Sequence, residues 1–377
     1  MIFLAVFFLI LAVIPVLMTK KNLSFFFRAP TPHQNQQVST TSGISVLIPA
    51  RNEAHRILSV LDALANSKGA IFEVVVLDDH STDTTKDIVE SFAKKHAHFR
   101  LESSKALPPG WNGKMHACWQ LAHLAKFELL LFLDADVELS SDALVRMATL
   151  ADQKPGVALF SGFPKQIACT WSEKLLIPMM HYILLSYLPI EQMRASNNPA
   201  FAAGCGQLML ARKKQYLECG GHSAVKATRH DGVALPRAFR DKAMSTDIFD
   251  ATDIAGTRMY VGFKEVVQGA VKNATEGLAH PKRIAIFSML LLGGSVLPLL
   301  VMLFMITSAT QHPLLPMYVI GCLLCFVPRI WVRQRFQQSW LGAILHPLAV
   351  MWFVLLQWWA LGQQLLGTRV LWKGRES

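Results

Sequence analysis

LLLFLDADVEL, residues 129–139, decides how the chain reads. The apolar run Leu129–Leu133 has the length and character of a buried strand, and it stops abruptly at Asp134 and Asp136, two carboxylates separated by one small residue. Carboxylates at the C-terminal end of a buried parallel strand stand where open α/β sheets take their ligands. In an extended segment both side chains point to one side, so both can approach one divalent cation, which prefers hard oxygen ligands. A strand followed by an acidic turn and a capped helix would carry the same letters. The neighbouring stretches must decide between the two.

Upstream, strands alternate with helices. Ile44–Pro49 is a short apolar strand, and Glu53–Ala65 has helical spacing through Ile57, Leu58, Leu61 and Leu64. Phe72–Leu77 is a second strand that ends in Asp78-Asp79, after which Ser81, Thr82 and Asp83 offer caps for a helix reaching about Lys95. Asn112 caps a further helix carrying Met115, Trp119, Leu121 and Leu124, which leads into the central strand. Downstream, Asp142–Ala151 reads as helix and Val157–Phe160 as strand; Gly204-Cys205-Gly206 precedes the strand-like QLMLA, and His230-Asp231 head a short helix. This alternation predicts an α/β fold, a mainly parallel sheet with helices on both faces. No GxGxxG follows the first strand, which argues against a Rossmann dehydrogenase.

Both ends of the chain carry long apolar segments. Hydrophobic residues make up 52% of the sequence, and residues 1–18 form an uninterrupted apolar stretch followed by a basic flank at Lys20, Lys21 and Arg28, which puts an anchor at residues 1–22. Without a basic start or a small-residue cleavage site it reads as a retained anchor, with the following residues on the cytoplasmic side. Residues 23–42 turn to Pro, Thr, Gln and Ser, a linker; residues 43–280 would be the soluble domain and 281–377 a membrane region. That last region holds three hydrophobic segments, Ile284–Ile306, Leu314–Trp331 and Leu341–Leu361. Arg329, Arg333 and Arg335 put the last loop inside, whereas Arg369, Lys373 and Arg375 fall on the wrong side unless the last segment fails to cross fully. Residues 171–190, interrupted by Pro178 and His181, suit interface helices or buried helices better than a span. The expected location is the cell (inner) membrane. The net charge of +11 is spread along the chain, which fits an anionic membrane face and calls for no nucleic acid. Six cysteines show no paired zinc spacing and no disulfide framework.

Acids thus recur at strand ends and helix starts: Glu53, Asp78 with Asp79, Asp134 with Asp136, and Asp231. Like charges on one sheet edge cost stability unless a cation compensates, and a nucleotide diphosphate with Mg²⁺ or Mn²⁺ would do so. Asp78 and Asp79 can accept from base and ribose, and Glu53 with Arg51 can close the base pocket. The loop before Gly113-Lys114 can offer its backbone N–H groups, and Lys114 its ammonium, to phosphate. Asp231 is a candidate general base, which His230 beside it can tune or replace. Gly204-Cys205-Gly206 lets an acceptor substrate approach the backbone. Taken singly, each of these also reads as a turn, an N-cap or a plain helix start.

Taken in order, ISVLIPARNE (44–53), VVVLDDHSTDTT (74–85), GWNGKMHA (110–117), LLLFLDADVEL, AAGCGQLMLARKKQYLECGG (202–221) and His230-Asp231 resemble the membrane-bound family 2 glycosyltransferases of GT-A fold. The resemblance implies a metal-dependent, inverting transfer of a sugar from a nucleotide diphosphate, with UDP-sugar the expected donor. It implies nucleotide contacts for Glu53 and Asp79, with Asp78 beside them, and metal contacts for Asp134 and, more firmly, Asp136. Asp231 matches the base of the family's usual Glu-Asp pair, with His230 in place of the Glu. Arg258-Met259-Tyr260 is similar to a stretch beyond the base in related members, and Arg258 can assist the departing diphosphate. The Gln-x-x-Arg-Trp element of processive synthases is missing after Asp231. A single transfer to a lipid or membrane-embedded acceptor is therefore the expected reaction, with lipids of carotenoid or hopanoid type as one possibility. A polyprenyl-phosphate sugar transferase or polysaccharide synthase is the alternative, and a non-catalytic scaffold of the same fold the second.

Overall fold

The computed structural model describes residues 2–31, 43–272, 274–308, 312–366, 371–372 and 375–376. Most of the expected linker, residues 32–42, and the C-terminal Arg369 and Lys373 lie outside the described residues. The chain forms two compact units, one of Phe26–Ile167 with Glu191–Met259, the other of Met1–Phe25, Ala168–Ile190 and Tyr260–Glu376.

In chain order the elements begin with α1 (Ile2–Phe25), β1 (Ile44–Ala50), α2 (Ile57–Ala65), β2 (Phe72–Asp78), α3 (Thr85–Ala93), β3 (Phe99–Ser103), α4 (Gly113–Leu124), β4 (Leu129–Leu133) and β5 (Val137–Leu139). There follow α5 (Ala143–Gln153), β6 (Val157–Phe163), β7 (Lys165–Gln166), α6 (Trp171–Leu176), α7 (Met179–Tyr187), α8 (Ile190–Ala195), β8 (Leu208–Arg212), α9 (Lys213–Glu218), α10 (Gly221–Ala224), α11 (Asp231–Asp241), β9 (Ser245–Asp250) and β10 (Ala255–Thr257). The further α-helices among the described residues are α12 (Gly262–Lys272), α13 (Ile284–Ser295), α14 (Leu297–Thr307), α15 (Leu315–Phe336), α16 (Trp340–Ile344) and α17 (His346–Leu365).

The first unit is a mixed α/β layer structure. Its main sheet has the order β3-β2-β1-β4-β8-β6-β9, parallel except for β8, which runs antiparallel to both neighbours. LLLFL works as the opening stretch suggested. Leu129, Leu131 and Leu133 join the core on one face of the sheet, together with Ile44, Val46 and Ile48, while Leu130 and Phe132 join the core on the other face with Leu47, Val75 and Leu77. A two-residue period feeding two cores requires apolar residues at every position. Each fully buried side chain of this kind contributes about 1.5–3 kcal/mol.

Asp134-Ala135-Asp136 is not an extended segment. It is a turn, with the Val137 N–H donating to the Asp134 carbonyl at 3.1 Å, and it delivers the chain to a second, three-stranded sheet of order β5-β10-β7. Two strands of the main sheet escaped the sequence reading. β3 is an edge strand carrying Arg100 and Glu102, and β9 opens with Ser, Thr and Asp; neither shows an apolar run. Its Asp247 is buried only because Lys154 and Arg194 pair with it at 2.8 and 2.7 Å. α2 begins at Ile57 and not at Glu53, because Asn52 takes a left-handed φ of 53° and residues 51–56 form turns.

Among the described residues of the second unit, three helices are long and apolar enough to cross a membrane: α1, α15 and α17. The segment expected from Ile284 to Ile306 is broken into α13 and α14, bent by 43°, and counts as a fourth if the pair is one span. Pro298 in the first turn of α14 and Gly293-Gly294-Ser295 before it account for the break. Residues 171–190 do not make one long helix; Pro178 separates α6 from α7. Within this unit Thr19 and Ser186 hydrogen-bond at 2.9 Å, and the Asn22 side chain donates to the Leu185 and Leu188 carbonyls at 2.8 and 2.6 Å. Such polar contacts hold apolar helices together where hydrophobic burial alone is weak.

Candidate active site

The site lies within the α/β unit, where the exits of β1, β2 and β4 meet the starts of α4 and α11. The exits of β1 and β2 are laced together. The Asp79 N–H donates to the Ala50 carbonyl at 2.8 Å, Arg51 Nη1 to the Asp79 carbonyl at 2.6 Å, and the Glu53 N–H to Thr85 Oγ1 at 2.8 Å. Asn52 Oδ1 accepts from the Thr82 N–H at 2.8 Å, which uses the side chain to hold its own left-handed turn. Asp78 and Asp79 are buried at this edge. The backbone of Arg51–Glu53 is thereby fixed against the acids of β2.

Lys114, in the first turn of α4, is the centre of the arrangement. Asn112 caps that helix, accepting from the Lys114 N–H at 3.0 Å, with Gly113 as its first residue. The Lys114 ammonium lies 2.6 Å from Asp134 Oδ1, 2.9 Å from Asp231 Oδ2 and 3.2 Å from the Gly206 carbonyl. One side chain thus joins three stretches that stand far apart in sequence. Two carboxylates raise the Lys114 pKa well above its ordinary value despite burial, so it is a cation at any physiological pH.

Asp231 opens α11, where the helix dipole favours a carboxylate. Its Oδ1 accepts from the Gly232 N–H at 2.9 Å. Burial works to raise its pKa, but Lys114 beside it, with His222 and His230 further off, wins and holds it below the usual carboxylate range. It is an unprotonated, buried acceptor. The Gly204–Gly206 segment is shaped around it: a Cβ at Gly206 would overlap the Asp231 carboxylate, and one at Gly204 would meet the Gly232 carbonyl at 2.9 Å. Ser161 Oγ holds the segment from behind, accepting from the Cys205 N–H at 2.6 Å. His230 is the N-cap residue of α11 and partly exposed.

The two acids of the DxD turn have different surroundings. Asp134 faces Lys114, whereas Asp136 Oδ2 meets Arg56 Nη1 at 3.3 Å and its Oδ1 is buried with no hydrogen-bond partner among the described residues. Burial first, then the charges of Asp134 and Glu53, push the Asp136 carboxyl up to about 7. An orphaned carboxylate oxygen among acids is the environment that a hard divalent cation relieves. The Asp136 carboxylate fits such an ion as one ligand of its coordination shell, whereas Asp134 is engaged by Lys114. Among the described residues no group of three or more His, Cys, Asp or Glu side chains is gathered for a metal. The remaining ligands would have to be oxygens from elsewhere.

Arg258 follows β10, whose Thr257 pairs with Val137 of β5. Sequence reasoning missed Arg56, which carries no motif signal, and the buried pair Tyr216–His222, whose hydroxyl and Nδ1 are 2.8 Å apart. A Cβ at Gly221 would overlap the Tyr216 ring, so the GGH stretch was the available signal.

Residues 45–216 match the family described as Glycosyl transferase family 2. The chain is 26% identical over 344 residues to 4,4'-diaponeurosporenoate glycosyltransferase of Staphylococcus aureus (strain USA300), covering 88% of each chain. It is 27% identical over 246 residues to the protein of the same name from Staphylococcus haemolyticus (strain JCSC1435), covering 65% of this chain but only 64% of that one. In fold it is similar to a mannosyltransferase from Pyrobaculum calidifontis solved in complex with GDP-Man and Mn²⁺, with a TM-score of 0.54 at 16% identity, covering 97% of this chain and 99% of that one. The chain thus carries a segment, residues 45–216, that matches the glycosyl transferase family 2 model, on a fold of GT-A type.

Proposed function

We propose that the protein moves a sugar from a nucleoside diphosphate donor, a UDP-sugar, to a hydroxyl or carboxyl on a membrane-borne lipid, in one transfer and with inversion. The observation that carries this reading is the contact of Lys114 with both Asp134 and Asp231, which puts a leaving-group site and a proton acceptor one side chain apart. Glu53, Arg51, Asp78 and Asp79 hold the nucleoside end. Gly113 and Lys114 meet the diphosphate, with Arg258 assisting from the β10 side. The acceptor lies against Gly204–Gly206, and Asp231 takes its proton as the acceptor oxygen bonds to the anomeric carbon and the bond from that carbon to the diphosphate breaks. His230 tunes Asp231 through its charge.

Asp134 and Asp136 would hold Mg²⁺ or Mn²⁺, which when bound offsets the charge of the departing diphosphate. A lipid acceptor is supported by the name of the Staphylococcus relatives and by the helices long enough to span a membrane. Lys20 and Lys21 in the C-terminal part of α1, Arg28 after it, and Arg333 and Arg335 at the end of α15 favour a cytoplasmic catalytic unit in the cell membrane. Full-length protein in membranes, supplied with labelled nucleotide sugars and Mn²⁺, should yield label in the organic extract as a product of fixed size. Label that stays water-soluble removes the lipid acceptor, and a product that lengthens with time removes single transfer.

A further inference from the structure

We propose that Arg329 binds the oxyanion head of a lipid, a carboxylate or a phosphate, inside the helical unit. Arg329 belongs to α15, one of the helices long and apolar enough to cross a membrane, and it is 0% exposed. It lies about two turns before the end of that helix, roughly 10 Å along the axis at 1.5 Å per residue, and Arg333 and Arg335 follow in the last turn. An arginine keeps its charge when buried. An isolated buried charge is strongly disfavoured unless an opposite charge meets it, and inside an apolar helix bundle it marks a binding site by default.

The guanidinium has only neutral partners. Nε donates to the Gly342 carbonyl at 3.3 Å, and Nη1 donates to Gln338 Oε1. Because a guanidinium can only donate, the Gln338 amide is fixed with its oxygen toward Arg329, and its Nε2 turns to His181 Nδ1 at 3.3 Å. Nη2 is buried without a hydrogen-bond partner, and no carboxylate among the described residues pairs with Arg329. Gly342 is what admits the group: a Cβ there would meet Nη2 at 3.1 Å and overlap the Lys174 carbonyl. His346, also 0% exposed, belongs to the same buried polar set, its ring 4.6 Å from that of Tyr182, the neighbour of His181. Its Nε2 lies 3.4 Å from Ser295 Oγ, while Nδ1 is a second buried atom without a partner. The missing group must therefore accept hydrogen bonds and carry negative charge. Water meets the first requirement only, whereas a carboxylate or phosphate meets both. Its carrier is a lipid, because α15 turns Ile320 and Leu323 outward, 49% and 66% exposed, as a helix against acyl chains does.

The experiment is thermal unfolding of the full-length protein in neutral detergent, followed by tryptophan fluorescence. Neither nucleotide nor metal is added, so the outcome is separate from that of the transfer reading above. Oleate and dioleoylphosphatidic acid are titrated as the two anionic heads, oleyl alcohol and dioleoylglycerol as their neutral counterparts, and inorganic phosphate as a head without a tail. A ligand that binds only the folded state raises Tm saturably. Oleate, phosphatidic acid or both should do so in wild type, and the other three should not. A response to oleate alone assigns the site to a carboxylate-bearing lipid, and one to phosphatidic acid alone assigns it to a phospholipid. Arg329→Gln should raise the half-saturating concentration about ten- to hundredfold, the loss of one charge-assisted hydrogen bond. Lys20→Gln removes an equal charge from an exposed position and should leave it unchanged. The proposal is overturned by no response to either anionic lipid, by equal responses to charged and neutral lipids or to inorganic phosphate, or by an Arg329→Gln titration that matches wild type. Should Arg329→Gln fail to fold, Arg329→Lys keeps the charge and loses the planar fork, and an unchanged half-saturation there is the overturning result.

Discussion

The ammonium of Lys114 lies 2.9 Å from Oδ2 of Asp231. A base held below its ordinary pKa by a neighbouring cation is unprotonated but weak, so its strength depends on where that cation goes when a diphosphate arrives. Lys114→Met should raise the Asp231 pKa, because the largest lowering influence is removed while burial remains. The acid limb of the pH–rate profile then moves to higher pH, with a lower maximum. A limb that stays in place would show that another group sets it.

Asp231→Asn keeps the shape of the side chain and removes the proton acceptor. Transfer should fall about 10²–10⁴-fold while Mn²⁺-dependent UDP binding is retained. Gly206→Ala should give the same split, because its Cβ would overlap the Asp231 carboxylate and push it out of place. Steady-state rates alongside calorimetric UDP titration read both. Turnover retained in Asp231→Asn rejects the base assignment.

Asp136→Asn should abolish the metal dependence of UDP binding. In metal-free protein the same change should not lower Tm, because the ionised carboxylate is disfavoured by burial and by Asp134 and Glu53. Removing divalent ions with a chelator should reproduce the binding loss in wild type. Unchanged UDP titration in the variant would sink the metal role.

Glu73 tests the fold apart from the site. It is buried on β2, accepts from Ser45 Oγ and the Lys126 N–H at 2.5 Å each, and pairs with Arg100. Burial acts to raise its pKa, but these donors outweigh it and the folded value lies below the ordinary 4.5. A depressed carboxyl stabilises the fold above its unfolded pKa and loses that contribution as pH falls through the folded one. Wild-type Tm should therefore drop below about pH 4.5, with a shallower acid slope in Glu73→Gln. At neutral pH the variant should be less stable by about 1–3 kcal/mol. An identical acid slope in the two proteins would remove Glu73 as a source of acid lability.

Much of the fold was legible from sequence where one rule acts locally. Leu129–Leu133 is apolar at every position because both faces of β4 are buried, and that pattern, with its counterparts at β1 and β2, sufficed for an α/β sheet. The acids at strand ends were visible for the same reason: a strand exit is a place that sequence marks clearly. β3 and β9 were not visible, because their burial depends on partners such as Arg194 and Lys154 that come from remote segments.

LLLFLDADVEL determined by itself a buried strand and two acids at its end. Tertiary structure alone decided that the acids occupy a turn and part company, Asp134 toward Lys114 and Asp136 toward Arg56. Their reach depends on where α4 and the residues before α2 are packed, and that is set by the shared core. The link from Asp134 through Lys114 to Asp231 spans residues 114, 134 and 231, and only the folded sheet edge brings those three side chains within hydrogen-bond distance.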